Sequence, residues 1–255
     1  MNVFSFTGLA IGALSSLMAL FIFVRGRSKL HYLWGVFCIS VMFWGFGAWQ
    51  IGETTDPERA LLWWHIAYTG VIFIPILFVH FVHRFLVISR PKLMYSLYAL
   101  GFAFLGLNWI GNLFMRDVRF VFDEFYYISP PAPLYTPFVV MFIGLVIYST
   151  VVFYRAYRVS EGMRRMQIKY FFIAIVAGYG GGSTSFLPVY GVDAYPVLNI
   201  GVALFPIIIG YAIFKYRLFD VRAIVARSVV YLILSTMVAL IFTSLSVFFS
   251  FILRQ

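Results

Sequence analysis

Eight stretches of this sequence contain no Asp, Glu, Lys or Arg: residues 4–24, 33–51, 61–81, 93–114, 138–153, 170–186, 197–214 and 229–253. A helix needs ~20 apolar residues to cross ~30 Å of hydrocarbon, and most of these runs are about that long. In lipid the backbone must satisfy its own hydrogen bonds, so a spanning segment is a helix or a strand of a closed barrel. The runs are continuous rather than alternating, which excludes the barrel. The expected fold is all-α: a polytopic membrane helix bundle of seven to eight transmembrane helices. Composition agrees. Of 255 residues, 63% are hydrophobic and 11% charged, with mean hydropathy +0.95; soluble domains are about a quarter charged.

The basic residues set the orientation. Loops after the first, third, fifth and seventh runs hold fifteen of the 19 lysines and arginines, among them Arg25, Arg84, Arg90, Lys92, Arg164, Lys215 and Arg222. The other side holds Arg59, Arg116, Arg119 and Arg254. By the excess of basic residues in cytoplasmic loops, the first set is inside and the N-terminus outside. The same clustering explains the net charge of +10 as topology and attraction to anionic headgroups, so membrane lipids are expected partners and nucleic acid is not. The first run ends in RGRSK rather than a small-residue cleavage site, and it is expected to remain in the mature chain. On the outer side, residues 118–128 alternate aromatic and β-branched residues before SPPAP. They read as a small β-hairpin within the 115–137 loop, either a lid over the bundle or an ordered interfacial loop.

The charged inventory excludes several functions. All nine Asp and Glu lie in loops or at run ends, which disfavours a proton- or sodium-coupled transporter. The four lysines, Lys29, Lys92, Lys169 and Lys215, lie on the basic side, so none is placed for a retinal Schiff base. Cys38 is single and has no intrachain disulfide partner. His80 and His83 share a helical face, with His31 at a similar depth. They read as hydrogen-bonded or interfacial imidazoles, or less readily as a metal or haem site, and the expectation is no metal and no cofactor.

Several residues carry alternative readings. Pro75 must kink its helix, as a static bend or as a hinge. Gly8 with Gly12, and Gly178 with Gly182, have the spacing of close helix packing. Gly180, Gly181 and Gly182 in succession weaken the sixth helix, which is expected to bend or unwind there. Trp44, Trp49, Trp63, Trp64, Tyr68, Asn108, Trp109, Asn112 and Asn199 fall in the outer halves of the runs. They read as an aromatic belt with structural asparagines, or as the lining of a cavity for a small, mostly apolar ligand.

Three stretches together resemble the N-terminal, seven-helix membrane sensor region of bacterial sensor histidine kinases. They are HIAYTGVIFIPILFVHFV (65–82), RRMQIKYFFIA (164–174), and GYGGGSTSFLPVYGVDAYPVLNIGVALFPIIIGYAIFKYRLFDV (178–221). The resemblance implies a multi-pass receptor in the bacterial cytoplasmic membrane that detects a small or lipophilic cue and acts as a homodimer or with a partner membrane protein. It implies that the segment from Lys215 through Arg217, Leu218, Asp220, Val221 and Arg222 transmits the signal, with Pro75 as a hinge. Phe214, Leu218, Val221 and Val225 fall on one helical face, which suits a helix at the inner surface. Residues 1–227 then form the sensor domain with its connector. Residues 228–255 form an additional helix, the first half of a hairpin that the chain end truncates. No phospho-acceptor or ATP-binding box is present in the sequence, so this chain is not expected to be an enzyme by itself. The alternative is a non-catalytic accessory or structural membrane subunit that binds a partner protein.

The orientation is directly measurable. A reporter fused after Lys92 or Arg165 is expected to read as cytoplasmic, and one near Asp56 or Asp123 as external. Labelling of the 158–165 loop from outside the cell would reverse the assignment.

Overall fold

The computed structural model describes residues 1–26, 28–216 and Ser235. The connector residues Arg217, Leu218, Asp220, Val221 and Arg222, the 227/228 boundary and the eighth apolar run all lie outside the described residues, Ser235 excepted. Lys215 is placed only by its backbone, in the last described helix.

The described chain makes seven helical passes. The first two are α1 (Val3–Arg25) and α2 (Lys29–Glu53). The third is continuous from Pro57 to Phe85 but broken into α3 (Pro57–Val71) and α4 (Ile74–Phe85). Next come α5 (Pro91–Trp109), the hairpin β1 (Val118–Val121) and β2 (Phe125–Ile128), and α6 (Tyr135–Val159). The sixth pass starts as α7 (Gly162–Ile175), changes to a π-helix over Val176–Gly180, returns to a single α turn, α8 (Gly181–Ser183), and ends in 3-10 turns near Tyr190. The last is α9 (Ile200–Tyr216). Among the described residues, five passes are long and apolar enough to cross a membrane by length and composition. Of the other two, α5 is diluted by tyrosine, glycine and asparagine, and α9 is described for only 17 residues.

The helix ends obey local chemistry. Asn2 caps α1 by accepting from the Ser5 N–H, and its own amide donates to the Gly52 carbonyl at 2.9 Å. Ser5 Oγ donates to Glu53 at 2.5 Å. The start of α1 is thus tied to the end of α2. Asp56 caps α3 with Pro57 in the first turn, where the missing proline N–H costs nothing. The fourth run was expected to stay helical to residue 114 but stops at Trp109. Gly111, at φ +75°, turns the chain out of the helix.

The core is a seam of small residues flanked by aromatics. A Cβ on Gly45 of α2 would sit 2.2 Å from the Gly12 backbone nitrogen, and one on Gly8 would sit 2.4 Å from that of Trp49. α1 and α2 therefore pack backbone to backbone, as the Gly8/Gly12 spacing predicts. Towards the basic end, Trp34, Phe37, Phe81, Phe171 and Phe205 interlock. Trp34 lies 4.7 Å from both Phe37 and Phe81, centroid to centroid, and 5.7 Å from Phe205. Arg164, near the start of α7, stacks 3.8 Å over the Phe85 ring and donates to the Phe85 carbonyl, bracing the end of α4.

The hairpin expected in the 115–137 loop is present, with Val118 opposite Ile128 and Val121 opposite Phe125. Phe122 and Asp123 both have positive φ, and the Glu124 N–H bonds the Val121 carbonyl. That is the sign pattern of a type I′ turn, which matches strand twist.

The glycine seam makes a sharp contrast in substitutions. Gly45→Val is expected to force α1 and α2 apart and to cost ~1–3 kcal/mol, the range for overpacked interiors. Gly106→Ala in α5 meets nothing within 4 Å and is expected to be neutral or stabilising by up to ~1 kcal/mol. Thermal unfolding of both variants in detergent checks the pair.

Candidate functional site

Three helices lose their regular hydrogen-bond ladder around one cavity. Pro75 has no N–H, so the Val71 carbonyl loses its usual helical donor. The ladder breaks at Ile72 and Phe73, and the Phe73 N–H turns back to the Gly70 carbonyl at 3.0 Å. On the sixth pass, Val176–Gly180 is a π-helix, followed by 3-10 turns. The expected unwinding at Gly180–Gly182 is thus a change of helical pitch and not an open break. On α9, Pro206 lies inside the helix and removes the donor to Val202. Val71, Gly178, Tyr179 and Val202 all line one cavity of about 60 Å³, room for a few water-sized groups.

Close backbone approach fixes this region. A Cβ on Gly181 would lie 2.2 Å from the Leu198 carbonyl oxygen, and one on Gly201 2.2 Å from that of Ala177. The glycines therefore let the π-helical segment press onto α9. Gly178 faces the Phe205 ring at 2.5 Å in the same sense. By contrast Gly182, the partner expected from spacing, meets only a Val202 methyl at 3.0 Å.

The cavity wall is mostly rings and aliphatic groups. Trp44 and Tyr68 contribute to it, with Phe37, Phe142, Phe186 and Phe205. The polar atoms of Trp44 and Tyr68 are already used. Trp44 Nε1 donates to Asn199 Oδ1 at 3.1 Å, and Asn199 donates onward to Thr7 Oγ1 at 3.3 Å. The Tyr68 hydroxyl is hydrogen-bonded to that of Tyr135. Two other hydroxyls, on the lining residues Tyr179 and Ser185, are buried with no hydrogen-bond partner among the described residues. Buried polar groups are nearly always paired, and an unpaired one carries a desolvation cost of ~1–3 kcal/mol.

The hairpin closes this end of the bundle. Phe125, Tyr127 and Ile128 are fully buried. Phe125 stacks on Phe4 at 4.7 Å, and Tyr127 packs edge-on to Trp64 at 4.6 Å. Trp64 Nε1 donates to the Tyr126 carbonyl at 3.1 Å. Tyr127 donates to the backbone carbonyl of Ser185 at 2.5 Å, so the hairpin bonds directly to a cavity-lining residue. Tyr195 donates to Glu124 Oε2 at 2.6 Å and accepts from the Phe4 N–H at 3.2 Å. Burial, then the bond to Glu124, holds the Tyr195 phenol above its usual range.

The structure sorts the residues expected from sequence. Trp44 and Tyr68 line the cavity; Asn199 and Trp64 stand behind it and hold Trp44 and the hairpin. Asn108 is buried but donates to the His65 carbonyl at 2.9 Å, tying α5 to α3. Trp109 is 50% exposed and donates to Thr69 Oγ1. Trp49 is half-buried beside Phe46, and Asn112 is exposed beyond the end of α5. None of these four, Asn108, Trp109, Trp49 and Asn112, lines the cavity. Pro75 is where the third pass breaks, next to the lining residue Ile74. The residues that sequence reasoning passed over are Tyr179, Ser185 and Phe205. Pro206, an interior proline in an otherwise unbroken apolar run, was the available signal for that side of the cavity.

The histidines do not converge. His31 pairs with Ser28, His65 with Asn108, His80 with Tyr98 and His83 with Tyr148. Among the described residues no group of three metal-ligating side chains comes together.

No curated protein matches the chain. A family model does, over residues 8–222, and it describes the N-terminal 7TM region of histidine kinase. That span holds all seven described passes except the first turns of α1, together with the hairpin, the cavity and the helical break on the sixth pass. The match is to the 7TM region alone and does not cover a kinase catalytic domain. The seven described passes and the extent of the match agree: the chain belongs to the N-terminal seven-transmembrane region of histidine kinases.

Proposed function

We propose that this membrane sensor region detects a small, mainly apolar molecule carrying one or two hydrogen-bonding groups, and that the molecule occupies the cavity between α2, α3, α6, the π-helical segment and α9. The observation that carries this reading is the pair of unpartnered hydroxyls, Tyr179 OH and Ser185 Oγ, in an otherwise apolar lining. Ligand polar atoms that bonded these hydroxyls would relieve their desolvation, and the surrounding rings would take the ligand's apolar surface. The basic end of the bundle is cytoplasmic in this reading, the hairpin covers the external end, and the setting is a bacterial cytoplasmic membrane.

Transmission follows from where the cavity sits. Its walls include the residues beside the Pro75 break, the π-helix, and the stretch of α9 that contains Pro206. These are the points at which each helix can change direction without losing regular hydrogen bonds elsewhere. Occupancy that favours one arrangement of them shifts α9, which continues to Tyr216 and towards the 217–227 connector.

The test is signalling by the full-length receptor in cells, read with a reporter across stimulus concentration. Tyr179→Phe keeps the ring and removes one hydroxyl. It is expected to move the half-maximal stimulus by ~2- to 12-fold, the equivalent of a hydrogen bond worth ~0.5–1.5 kcal/mol. Val41→Phe, which fills the cavity, is expected to abolish the response at normal membrane abundance. Wild-type dose–response curves from both variants would rule the cavity out as the sensing site.

A further inference from the structure

A second cavity lies at the basic end of the bundle, between the end of α4 and the start of α5. It measures about 350 Å³, within the ~300–1,000 Å³ range of small-molecule sites. Its polar lining is His80, His83, Arg84, Ser89, Arg90, Tyr95 and Tyr98, with no carboxylate among the described residues. Sequence places these groups together. His80, His83 and Arg84 share one face of α4 by their spacing of three and four. Pro91 opens α5 one residue after Arg90. His80 Nδ1 and Tyr98 OH, 2.9 Å apart, then join the two helices across the cleft.

The turn between the helices is held open in a defined way. The Ile88 N–H bonds the His83 carbonyl at 2.7 Å, and the Val87 N–H bonds the Arg84 carbonyl at 3.3 Å. These are the two bonds of a Schellman motif, which normally has glycine at the left-handed position. Here that position is Val87, at φ +59°. A β-branched residue in this conformation is strained. Val87 lines the cleft and is 88% exposed; Tyr95, also on the cleft, is 76% exposed.

Three features of the cleft call for an anion. Arg84 and Arg90 are exposed and, among the described residues, neither is in an ion pair. The first turn of α5, a 19-residue helix, has no side-chain cap, so its free amides and dipole favour negative charge. Independently, His83 is only 2% exposed and its Nδ1 has no hydrogen-bond partner among the described residues, although Nε2 and Tyr148 OH are 2.8 Å apart. In the tautomer in which the Tyr148 hydroxyl donates to Nε2, the proton sits on Nδ1, and that N–H has no acceptor among the described residues.

We propose that this cleft binds a phosphate group, and that its source is the headgroup of an anionic phospholipid. Arginines suit phosphate oxygens through paired N–H donors. The cleft lies at the end of the bundle where the basic loops meet the headgroups, and basic pockets between transmembrane helices at that level fit anionic headgroups. Val87 and Tyr95, apolar and aromatic surfaces beside the arginines, lie against the glycerol and upper acyl chain. A free phosphate shares the headgroup chemistry but gains nothing from these two residues.

The experiment uses the chain purified in a neutral maltoside detergent, with bound lipid counted by native mass spectrometry and stability followed by thermal unfolding. The probes are dioleoyl phosphatidylglycerol, dioleoyl phosphatidylcholine and inorganic phosphate, each titrated separately. Phosphatidylglycerol is expected to bind saturably, one molecule per chain at the tight site, and to raise the unfolding temperature; the other two are not. Arg84→Gln with Arg90→Gln is expected to weaken that binding by at least ~10-fold. Both side chains are exposed and unpaired, so the fold is retained. A control pair, Arg155→Gln with Arg158→Gln, removes the same charge from the end of α6 and is expected to leave binding unchanged. Equal losses from both pairs, or no loss from the cleft pair, would overturn the site. Saturation by inorganic phosphate at the same concentration, sensitive to Arg84 and Arg90, would overturn the lipid as the source.

Discussion

The bilayer permits no unpaired backbone, and this constraint decides where the bundle can be irregular. Helices facing lipid must keep every N–H and C=O within their own ladder. α6 and most of α5 do so, and their exposed faces are apolar, with Phe102, Val140 and Ile147 outward. The passes that bend do it where one face packs against the other helices, with Val176 and Gly180 of the π-helix exposed. Pro75 breaks the third pass, the π-helix interrupts the sixth, and Pro206 weakens the last. All three irregularities border the same cavity. The glycines at 178, 181 and 201 allow this, because only without side chains can the deformed segment lie directly on α9. Irregular backbone, close packing and cavity are thus one feature.

The hairpin turns that feature into something with an outer boundary. Its buried face fills the end of the bundle with Phe125, Tyr127 and Ile128, and two tyrosines fasten it. Tyr127 reaches the Ser185 carbonyl, and Tyr195 joins Glu124 to the first turn of α1. Single hydrogen bonds of this kind contribute ~0.5–1.5 kcal/mol net. That is too little to hold the fold, which rests on ring packing, but comparable with the free-energy differences that set the balance between two arrangements of a receptor. Ser185 is the meeting point. Its carbonyl holds the hairpin, and its hydroxyl is one of the two unpaired groups in the cavity.

Much of the architecture was legible because the membrane makes sequence patterning unusually direct. Charge-free runs of about 20 residues located the passes, and alternation in 118–128 located the hairpin. The Gly8/Gly12 spacing located the α1–α2 seam. The cavity was only half legible. Trp44 and Tyr68 were visible as aromatic residues in the outer halves of apolar runs, but so were Trp49 and Trp109, and composition does not say which way a ring turns on a helix apolar all round. Tyr179 and Ser185 were hidden for a different reason. Their rotation is set by the π-helix, where an extra residue per turn shifts every following side chain by about 100° relative to an α-helix. The end of α5 at Trp109 was missed because the apolar run continues through residues 110–114 while Gly111 turns the backbone.

α4 connects the two cavities. It begins at the Pro75 break, where Ile74 lines the inner cavity, and six and nine residues later His80 and His83 line the basic cleft. Its 12 residues span ~18 Å as a single unbroken helix. It is anchored by rings along its length, Phe78 on Tyr179 at 5.2 Å and Phe81 on Phe171 at 5.1 Å. A helix this short has no internal point of bending, so a tilt at Pro75 displaces Arg84 and the Val87 turn together. On the readings proposed above, a ligand in the inner cavity and a phosphate in the cleft then act on the same rigid element from its two ends. Where both discriminate between the same two tilts, the coupling free energy is a single quantity: the change the ligand makes in the affinity for phosphate equals the change phosphate makes in the affinity for the ligand. Lipid composition at the inner surface would thus tune sensitivity to the cue by the very amount that the cue alters retention of the lipid.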